Sequence, residues 1–291
     1  MSEPVDEGYY PEGRYPEGEY ARGGSVAFGA TVVVGVVTVA IATVFGINAA
    51  RLQIGDSEPA VVEAAPPVVG AQWPTAQAGV DPAQSSGSGQ ETGTGQETGS
   101  DQALRSVRPD PDWVDRVAGA AGIPWRAMEA YAAADLLVDR ENPGCGLGWN
   151  TLAGIGSIES DHGRHGGAVL RDDGYPTRAI VGPVLNGEGV AAIPDTDGGV
   201  WDADADWDRA VGPMQFIPST WARWGADGNG DGVADPNQID DAALAAARYL
   251  CASGPMTTSQ GWRAAVLSYN QSDEYANEVA ATANQYARQA G

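Results

Sequence analysis

One uncharged apolar run decides which part of this chain can fold as a globular domain. Residues 23–50 contain no charged side chain, and their centre is rich in Val and Ala. About twenty apolar residues suffice to cross a bilayer as a helix, and this run is longer than that. The sequence therefore predicts one transmembrane helix at residues 23–50.

A cleavable signal peptide is the main alternative for this run. Signal peptides begin with a basic segment, whereas here residues 1–22 are acidic and contain two near repeats of Tyr-Pro-Glu-Gly. Because residues 1–22 have almost no aliphatic content, we predict a disordered cytoplasmic tail followed by an uncleaved anchor. The flanking charges specify orientation poorly, and we place the tail inside because the rest of the chain is typical of extracytoplasmic protein.

The stretch after the anchor has the composition of a linker. Residues 51–107 are rich in Pro, Ala, Gly, Ser, Thr and Gln and include two copies of Gly-Gln-Glu-Thr-Gly. Such a stretch buries too little apolar surface to fold, so we predict a disordered extracytoplasmic linker. As a flexible coil of about fifty residues it would reach on the order of 40 Å from the membrane. Residues 108–291 remain as the globular domain.

The formal net charge of −23 limits the partners of the chain. Nucleic-acid binding requires a basic face, so we expect no nucleic-acid partner. A polybasic membrane patch is excluded for the same reason, which leaves the N-terminal helix as the membrane contact. The sequence indicates no organic cofactor and identifies no protein partner.

Caps and helix breakers predict a mostly helical domain. Asp110 and Pro111 have the types expected at a helix start, and Gly122 and Pro124 separate that helix from one ending near Asn142. A third helix carries Glu159 and is expected to end at Gly163 in a left-handed C-cap. Later helices are predicted at about 218–224, 240–252, 262–270 and 273–289, the last capped by Ser272, and a small β ribbon is predicted within 166–210, with a hairpin turn at Asp172-Asp-Gly174.

Glu159 is the residue with the clearest candidate chemistry. Helical periodicity places Leu152, Ile155 and Glu159 on one face. A carboxyl group on an apolar stripe is costly to ionise, so its pKa should rise. That environment suits a general acid acting on a glycosidic oxygen near neutral pH. The alternative is an ordinary solvent-facing glutamate.

Three ordered motifs resemble the lytic murein transglycosylases, close to the membrane-bound type B enzymes and their actinobacterial relatives. They are Glu159-Ser160, the segment Gly212-Pro-Met-Gln-Phe-Ile-Pro-Ser219, and Tyr269-Asn270. The resemblance covers roughly residues 110–291. It implies an α+β lysozyme-like fold, peptidoglycan glycan strands as the substrate, and an extracytoplasmic domain of a single-pass protein of the cell membrane.

The resemblance also implies a reaction in which Glu159 is the sole acid and base. It would protonate the oxygen between N-acetylmuramic acid and N-acetylglucosamine, then accept the proton of the C6 hydroxyl as a 1,6-anhydro end forms. One alternative is a muramidase that hydrolyses this bond with Asp206 or Asp208 as second carboxylate. Another is a non-catalytic, calcium-stabilised peptidoglycan-binding protein.

The same resemblance implies a saccharide-binding set. Gln215 and Phe216 would offer an amide and an apolar platform, and Gly212 would let the backbone approach a ligand closely. A buried turn that packs on the Glu159 helix is the alternative. Tyr269 is expected to orient the substrate near Glu159. The complete predicted set is Gly212, Met214, Gln215, Phe216, Tyr269 and Asn270.

An Asp/Gly-rich loop predicts a structural Ca²⁺ site. Its donors match the first half of an EF-hand loop, but Gln238 stands where that motif has Glu. Type B enzymes carry a slightly longer loop that ends on the next helix, which implies Asp241, with Asp240 as a rival. A solvated turn is the alternative. The predicted ligands are Asp227, Asn229, Asp231, the Val233 carbonyl and Asp241.

Other polar clusters and the two cysteines have simpler interpretations. His162 and His165 lack metal-ligand spacing and are expected at a helix end or on the cleft surface. The acidic residues 195–206 are expected to form a solvated loop. Cys145 and Cys251 of an exported domain most simply form one disulfide, with two buried thiols as the alternative. It would close a loop of about a hundred residues, worth roughly 4–5 kcal/mol.

Overall fold

The computed structural model describes Val61 and residues 108–291. The predicted tail, the predicted anchor and all of the predicted linker except Val61 lie outside the described residues. Val61 itself packs against the core of the domain. None of the helices among the described residues is both long and apolar enough to cross a bilayer.

The described domain is mostly helical, as the sequence predicts. Asp110 accepts hydrogen bonds from the backbone amides of Asp112 and Trp113, and Ser272 accepts one from that of Tyr275, so both predicted N-caps are confirmed. The seven α-helices of the described residues are α1 (Pro111–Ala121), α2 (Trp125–Glu141), α3 (Trp149–Ser160), α4 (Pro218–Trp224), α5 (Ile239–Cys251), α6 (Ser259–Tyr269) and α7 (Asp273–Ala290).

Helix α3 is packed between α2 and α7 and also touches α5. Its side chains at Leu152 and Ile155 are completely buried. Two glycines allow the neighbouring helices to approach, because a Cβ at Gly154 would lie 3.1 Å from the Val279 carbonyl oxygen and one at Gly156 would collide with the Tyr131 hydroxyl. The small residues of α3 therefore set the distance at which α2 and α7 surround it.

The chain between α3 and α4 is irregular, and the predicted β ribbon is wrong. The described residues contain isolated antiparallel bridges, such as Leu170–Pro176, but no strand ladder. The turn at Asp172-Asp-Gly174 is present, with the Gly174 amide donating to the Arg171 carbonyl at 2.9 Å. Carboxylates of Asp195 and Asp204 accept bonds from nearby amides that a ladder would need, which explains the missing ribbon.

One disulfide joins the segment before α3 to the end of α5. Cys145 and Cys251 are bonded, with their Cα atoms 5.5 Å apart and a sequence separation of 106. The predicted pairing is therefore confirmed. Since the bond closes a long loop, it constrains the unfolded chain by roughly 4–5 kcal/mol in the chain-entropy model.

Helix α3 ends earlier than the sequence suggests. The C-cap is Asp161, and Asp161, His162 and Gly163 have successive φ values of 51°, 58° and 81°. The His162 amide donates to the Gly156 carbonyl at 2.8 Å and so closes the turn. His162 thus lies at the helix end, as one of the two expectations has it, but this turn directs the imidazole into the core and not onto the cleft surface.

Candidate active site

Glu159 lies in the last turn of α3 and is only 6% exposed. Its Oε1 accepts a 2.6 Å hydrogen bond from the hydroxyl of Tyr275, a buried residue in the first turn of α7. Burial raises the pKa of Glu159 from 4.5 to about 7, and the Tyr275 bond opposes that rise. Burial on the apolar face of α3 thus raises the pKa of the Glu159 carboxyl, as the helical periodicity predicts.

The second carboxylate oxygen of Glu159 remains available. Within the described chain, Tyr275 is the hydrogen-bond partner of Glu159, and it uses Oε1. The fully enclosed side-chain oxygens without a partner are Asp135 Oδ1 and Gln215 Oε1. Glu159 Oε2 is not among them, and the residue as a whole is 6% exposed.

Neither candidate second carboxylate perturbs Glu159. The causes of its raised pKa are burial and, in opposition, Tyr275, with no contribution from another carboxylate. Asp208 is completely buried and accepts hydrogen bonds from the backbone amide and hydroxyl of Thr196, at 2.9 and 2.7 Å. Asp206 is exposed. Asp208 is thus engaged in holding its own loop.

Gln215 sits at a tight turn formed by the second motif. Its φ is +50°, and its Nε2 donates to the carbonyls of Gly212 at 2.9 Å and Ile180 at 3.4 Å. Its Oε1 is enclosed and has no partner in the described chain. A buried amide oxygen in that state is costly, and a ligand donor would reach it only if the surrounding turn moved. Glycine is needed at position 212 for packing within the protein, because a Cβ there would collide with the Pro236 carbonyl.

Direct hydrogen bonds bring the three motifs together. The Ser160 hydroxyl donates to the Pro213 carbonyl at 2.6 Å, and the Tyr269 hydroxyl donates to the Met214 carbonyl at 2.7 Å. The Tyr269 hydroxyl is therefore bound to backbone, although the Glu159 charge contributes to its raised pKa after burial. The phenol that contacts Glu159 is that of Tyr275, which the sequence reasoning missed.

The rest of the predicted binding set packs into the protein. Phe216 stacks edge-on between Trp221 and Tyr269, with ring centroids 5.3 and 5.8 Å apart. Met214 is completely buried, and Asn270 is nearly so, with its Oδ1 accepting from the Ser272 amide. These side chains shape the turn that carries Gln215.

Residues 196–280 match a protein-family model described as the transglycosylase SLT domain. The match covers less than a third of the 291 residues, and it supports a lytic transglycosylase with a lysozyme-like domain that acts on peptidoglycan. Neither curated proteins nor solved structures yield a match. Because Glu159 precedes the matched residues, its assignment depends on the geometry described above.

The predicted calcium loop of the SLT domain has oxygen donors of the type that Ca²⁺ requires. Asp227 and Asp241 direct their carboxylates into the loop, where they accept bonds from the amides of Gly230 and Gly228, both at 2.7 Å. Asp240 instead pairs with Arg126 on α2, with one N–O distance of 2.9 Å. The donor set thus fits the ion in kind, with Asp241 rather than Asp240 facing the loop.

A second acidic loop, at residues 195–208, brings its carboxylates closer together. Asp195, Asp197 and Asp208 have carboxylate oxygens within 4.8 Å of one another, the one such group of three in the described chain. Asp195 and Asp197 also accept several bonds from amides of residues 197–201. These bonds give the carboxylates a role in shaping the loop.

Proposed function

We propose that this protein is a lytic transglycosylase that cleaves the β-1,4 bond between N-acetylmuramic acid and N-acetylglucosamine and leaves 1,6-anhydromuramoyl ends. The observation that carries the proposal is Glu159, a buried carboxyl with a pKa of about 7 and one phenol as its partner. A group that titrates near neutral pH can both donate and accept a proton in one cycle. The SLT domain match supports the substrate class.

In the first step, the Glu159 carboxyl donates its proton to the glycosidic oxygen. The bond from that oxygen to C1 of the muramoyl residue breaks, and the N-acetylglucosamine side leaves with a hydroxyl. In the second step, the Glu159 carboxylate takes the proton of the muramoyl C6 hydroxyl as O6 bonds to C1. The carboxyl is restored and no water is consumed. An intramolecular hydroxyl competes well with water because its effective molarity is very high.

Tyr275 would hold the carboxyl in position through both steps. Its hydroxyl donates to Oε1, which leaves Oε2 for proton transfer. When Glu159 becomes a carboxylate, the same bond becomes charge-assisted and stronger. It therefore stabilises the intermediate state more than the resting state, which is the condition for a contribution to rate.

Gln215 would bind the substrate from the opposite side. Its Nε2 is bonded to protein carbonyls, while its Oε1 lacks a partner in the described chain. The acetamido N–H or a hydroxyl of a sugar would satisfy this oxygen. The other residues of the predicted binding set would act by shaping the surroundings of this amide. They are Gly212, Met214, Phe216, Tyr269 and Asn270.

The location and the calcium site are part of the same proposal. A helix at residues 23–50 would anchor the protein in the cell membrane, and the linker would let the domain reach the extracytoplasmic glycan layer. Ca²⁺ bound by Asp227, Asn229, Asp231, the Val233 carbonyl and Asp241 would stabilise the loop that follows the Gln215 turn. Its role would be structural.

The decisive experiment uses the full chain in detergent together with its Glu159→Gln variant. Purified peptidoglycan is digested with each, and the released muropeptides are identified by mass. We expect anhydromuramoyl ends from the wild type and none from Glu159→Gln, while Glu188→Gln, an exposed loop position, behaves as the wild type. Reducing ends would indicate a hydrolase. Binding of the polymer without release by any variant would indicate a non-catalytic protein.

A further inference from the structure

A fully buried histidine lies one turn beyond Glu159. His162 is 1% exposed, and both of its ring nitrogens have phenol partners. Nδ1 lies 3.2 Å from the hydroxyl of Tyr131 on α2, and Nε2 lies 3.0 Å from the hydroxyl of Tyr286 on α7. The imidazole therefore bridges the two helices that enclose α3.

The hydrogen bonds of this bridge fix which group donates and which accepts in each contact. The Tyr286 hydroxyl donates to Ser157 Oγ at 3.2 Å, so toward His162 it must accept, and Nε2 carries the proton. Nδ1 is then the acceptor and takes the proton of the Tyr131 hydroxyl. Every donor in the chain from Tyr131 through His162 and Tyr286 to Ser157 is used once. A neutral imidazole is the form that fits this arrangement.

The charges around His162 agree with a neutral ring. Burial, and after it the Arg164 charge, lower its pKa from 6.5 to about 4, against the opposing effect of Asp161. Arg164 and Asp161 belong to its own turn, while the groups facing it from α2 and α7 are the phenols Tyr131 and Tyr286. The ring thus stays uncharged across the pH range in which Glu159 titrates.

The bridge and the Glu159 contact use the same face of α7. Tyr275 and Tyr286 are eleven residues apart, close to three helical turns, and both are buried. One fixes α7 to the Glu159 carboxyl, and the other fixes α7 to the turn that ends α3. Since α7 is a rigid rod over this length, a shift of its Tyr286 end would also displace the Tyr275 hydroxyl.

We propose that His162 is a positioning residue for the reaction, which holds α7 against the end of α3 so that the Tyr275 hydroxyl stays on Glu159 and water stays out. This proposal builds on the proposed role of Glu159. Loss of the bridge would let α7 move and hydrate the carboxyl. Because burial is the larger cause of the raised pKa and the Tyr275 bond only the smaller, opposing one, hydration would outweigh the loss of that bond and bring the pKa of Glu159 down from about 7.

The test compares His162→Phe with His162→Gln in the full chain. Phe keeps a planar ring without hydrogen bonds, whereas Gln offers one acceptor and one donor; neither is β-branched, so both tolerate the positive φ similarly. For His162→Phe we expect turnover to fall about 10–100-fold with KM changed less than about threefold. The upper-pH limit of activity should move down by about one pH unit, and His162→Gln should recover much of both.

The matched control is His165→Phe, the same change at an exposed position three residues further on. A lower melting temperature in His162→Phe with unchanged turnover and pH profile would overturn the proposal, because simple packing then suffices. If His162→Phe does not fold, Tyr286→Phe removes the Nε2 partner and keeps the ring. The same shifts are expected of it, and their absence would equally overturn the proposal.

A readout without turnover separates this inference from the proposed function. The Glu159 carboxyl is titrated by ¹³C NMR in the wild type, His162→Phe and His165→Phe. A pKa lowered in His162→Phe alone supports positioning even where no glycan is cleaved. An unchanged Glu159 pKa, in an enzyme that does cleave glycan, refutes positioning and leaves the proposed function intact.

Discussion

Glu159 and Gln215 are both 6% exposed, yet the chain holds them by different means. Glu159 belongs to the helical side of the site, formed by α2, α3 and α7, where long-range packing of apolar side chains fixes a carboxyl. Gln215 belongs to the loop side, residues 168–217, where positive φ values, glycines and side-chain bonds to nearby backbone fix an amide. The helical side therefore sets the pKa of the Glu159 carboxyl, and the loop side holds the Gln215 amide by hydrogen bonds.

This difference predicts how variants divide. Substitutions on the helical side should change turnover, pH dependence or global stability, because they alter the dielectric around a buried acid. Substitutions on the loop side should change substrate affinity or local stability, because the loop is held by short-range bonds. A loop-side variant that changes turnover, or a helical-side variant that changes only substrate affinity, would show that the two sides are coupled.

Tyr275→Phe is expected to have the largest effect. It removes the hydrogen bond on Glu159 Oε1 while keeping the ring. A bond to a charged group is worth about 1.5–3 kcal/mol, so turnover should fall about 10–100-fold. That bond lowers the pKa of Glu159, so its loss should raise the pKa above about 7 and extend activity to higher pH. Steady-state kinetics across pH check this, with Tyr175→Phe on the loop side as control. A changed KM with normal turnover would contradict it.

Asp135→Asn tests the helical side through stability. Asp135 on α2 accepts a 2.8 Å bond from the Trp149 amide at the start of α3, and its Oδ1 has no partner in the described chain. Burial raises its pKa from 3.8 to about 8, so the folded protein binds this proton more tightly than the unfolded chain. The resulting stability is complete below pH about 4 and is lost as the pH rises through about 8.

Asparagine keeps the acceptor and cannot ionise. We therefore expect Asp135→Asn to be more stable than the wild type by roughly 1–3 kcal/mol above pH 8, with little difference near pH 4. Urea unfolding at several pH values measures this. Asp115→Asn, at an exposed position of α1, is the matched control. Equal pH dependence in the wild type and Asp135→Asn would show that Asp135 is not the group that titrates.

The sequence predicts those features of the site that depend on local pattern. The apolar face beneath Glu159, the N-caps at Asp110 and Ser272 and the turn at residues 172–174 each follow from neighbours in the chain. The disulfide follows from the cysteine count and the expected compartment. The first two motifs do meet, since the Ser160 hydroxyl bonds to the Pro213 carbonyl.

Contacts between distant helices could not be predicted in this way. Tyr275 meets Glu159 and Tyr286 meets His162 because Gly154 lets α7 approach α3, and periodicity does not say which phenol arrives at which partner. The β ribbon fails for a related reason. A turn at residues 172–174 suggests a hairpin, but it does not show that Asp side chains further along the segment will take backbone amides.

Gln215→Leu tests the loop side through binding. Leucine has a similar volume but offers no acceptor to a sugar and no donor to the Gly212 carbonyl. Since a neutral hydrogen bond contributes about 0.5–1.5 kcal/mol, we expect KM to rise by up to about tenfold, with turnover within about threefold of the wild type. Gln215→Glu keeps an acceptor, so its KM should lie between that of the wild type and that of Gln215→Leu. A fall in turnover as large as that of Tyr275→Phe would break the division between the two sides.

The smallest expected effect is a rise in melting temperature with Ca²⁺. It distinguishes the acidic loop at residues 227–241 from the one at residues 195–208. Calcium at about tenfold excess over its dissociation constant should stabilise the domain by about 1.4 kcal/mol, a rise of roughly 3–5 °C in melting temperature. The predicted site requires this rise to vanish in Asp227→Ala/Asp231→Ala and to persist in Asp195→Asn/Asp197→Asn. The opposite result would place the ion among Asp195, Asp197 and Asp208, whose carboxylates converge more closely. Convergence of charges would then predict the ion better than spacing along the chain does, because the carboxylates of both loops also accept bonds from their own amides.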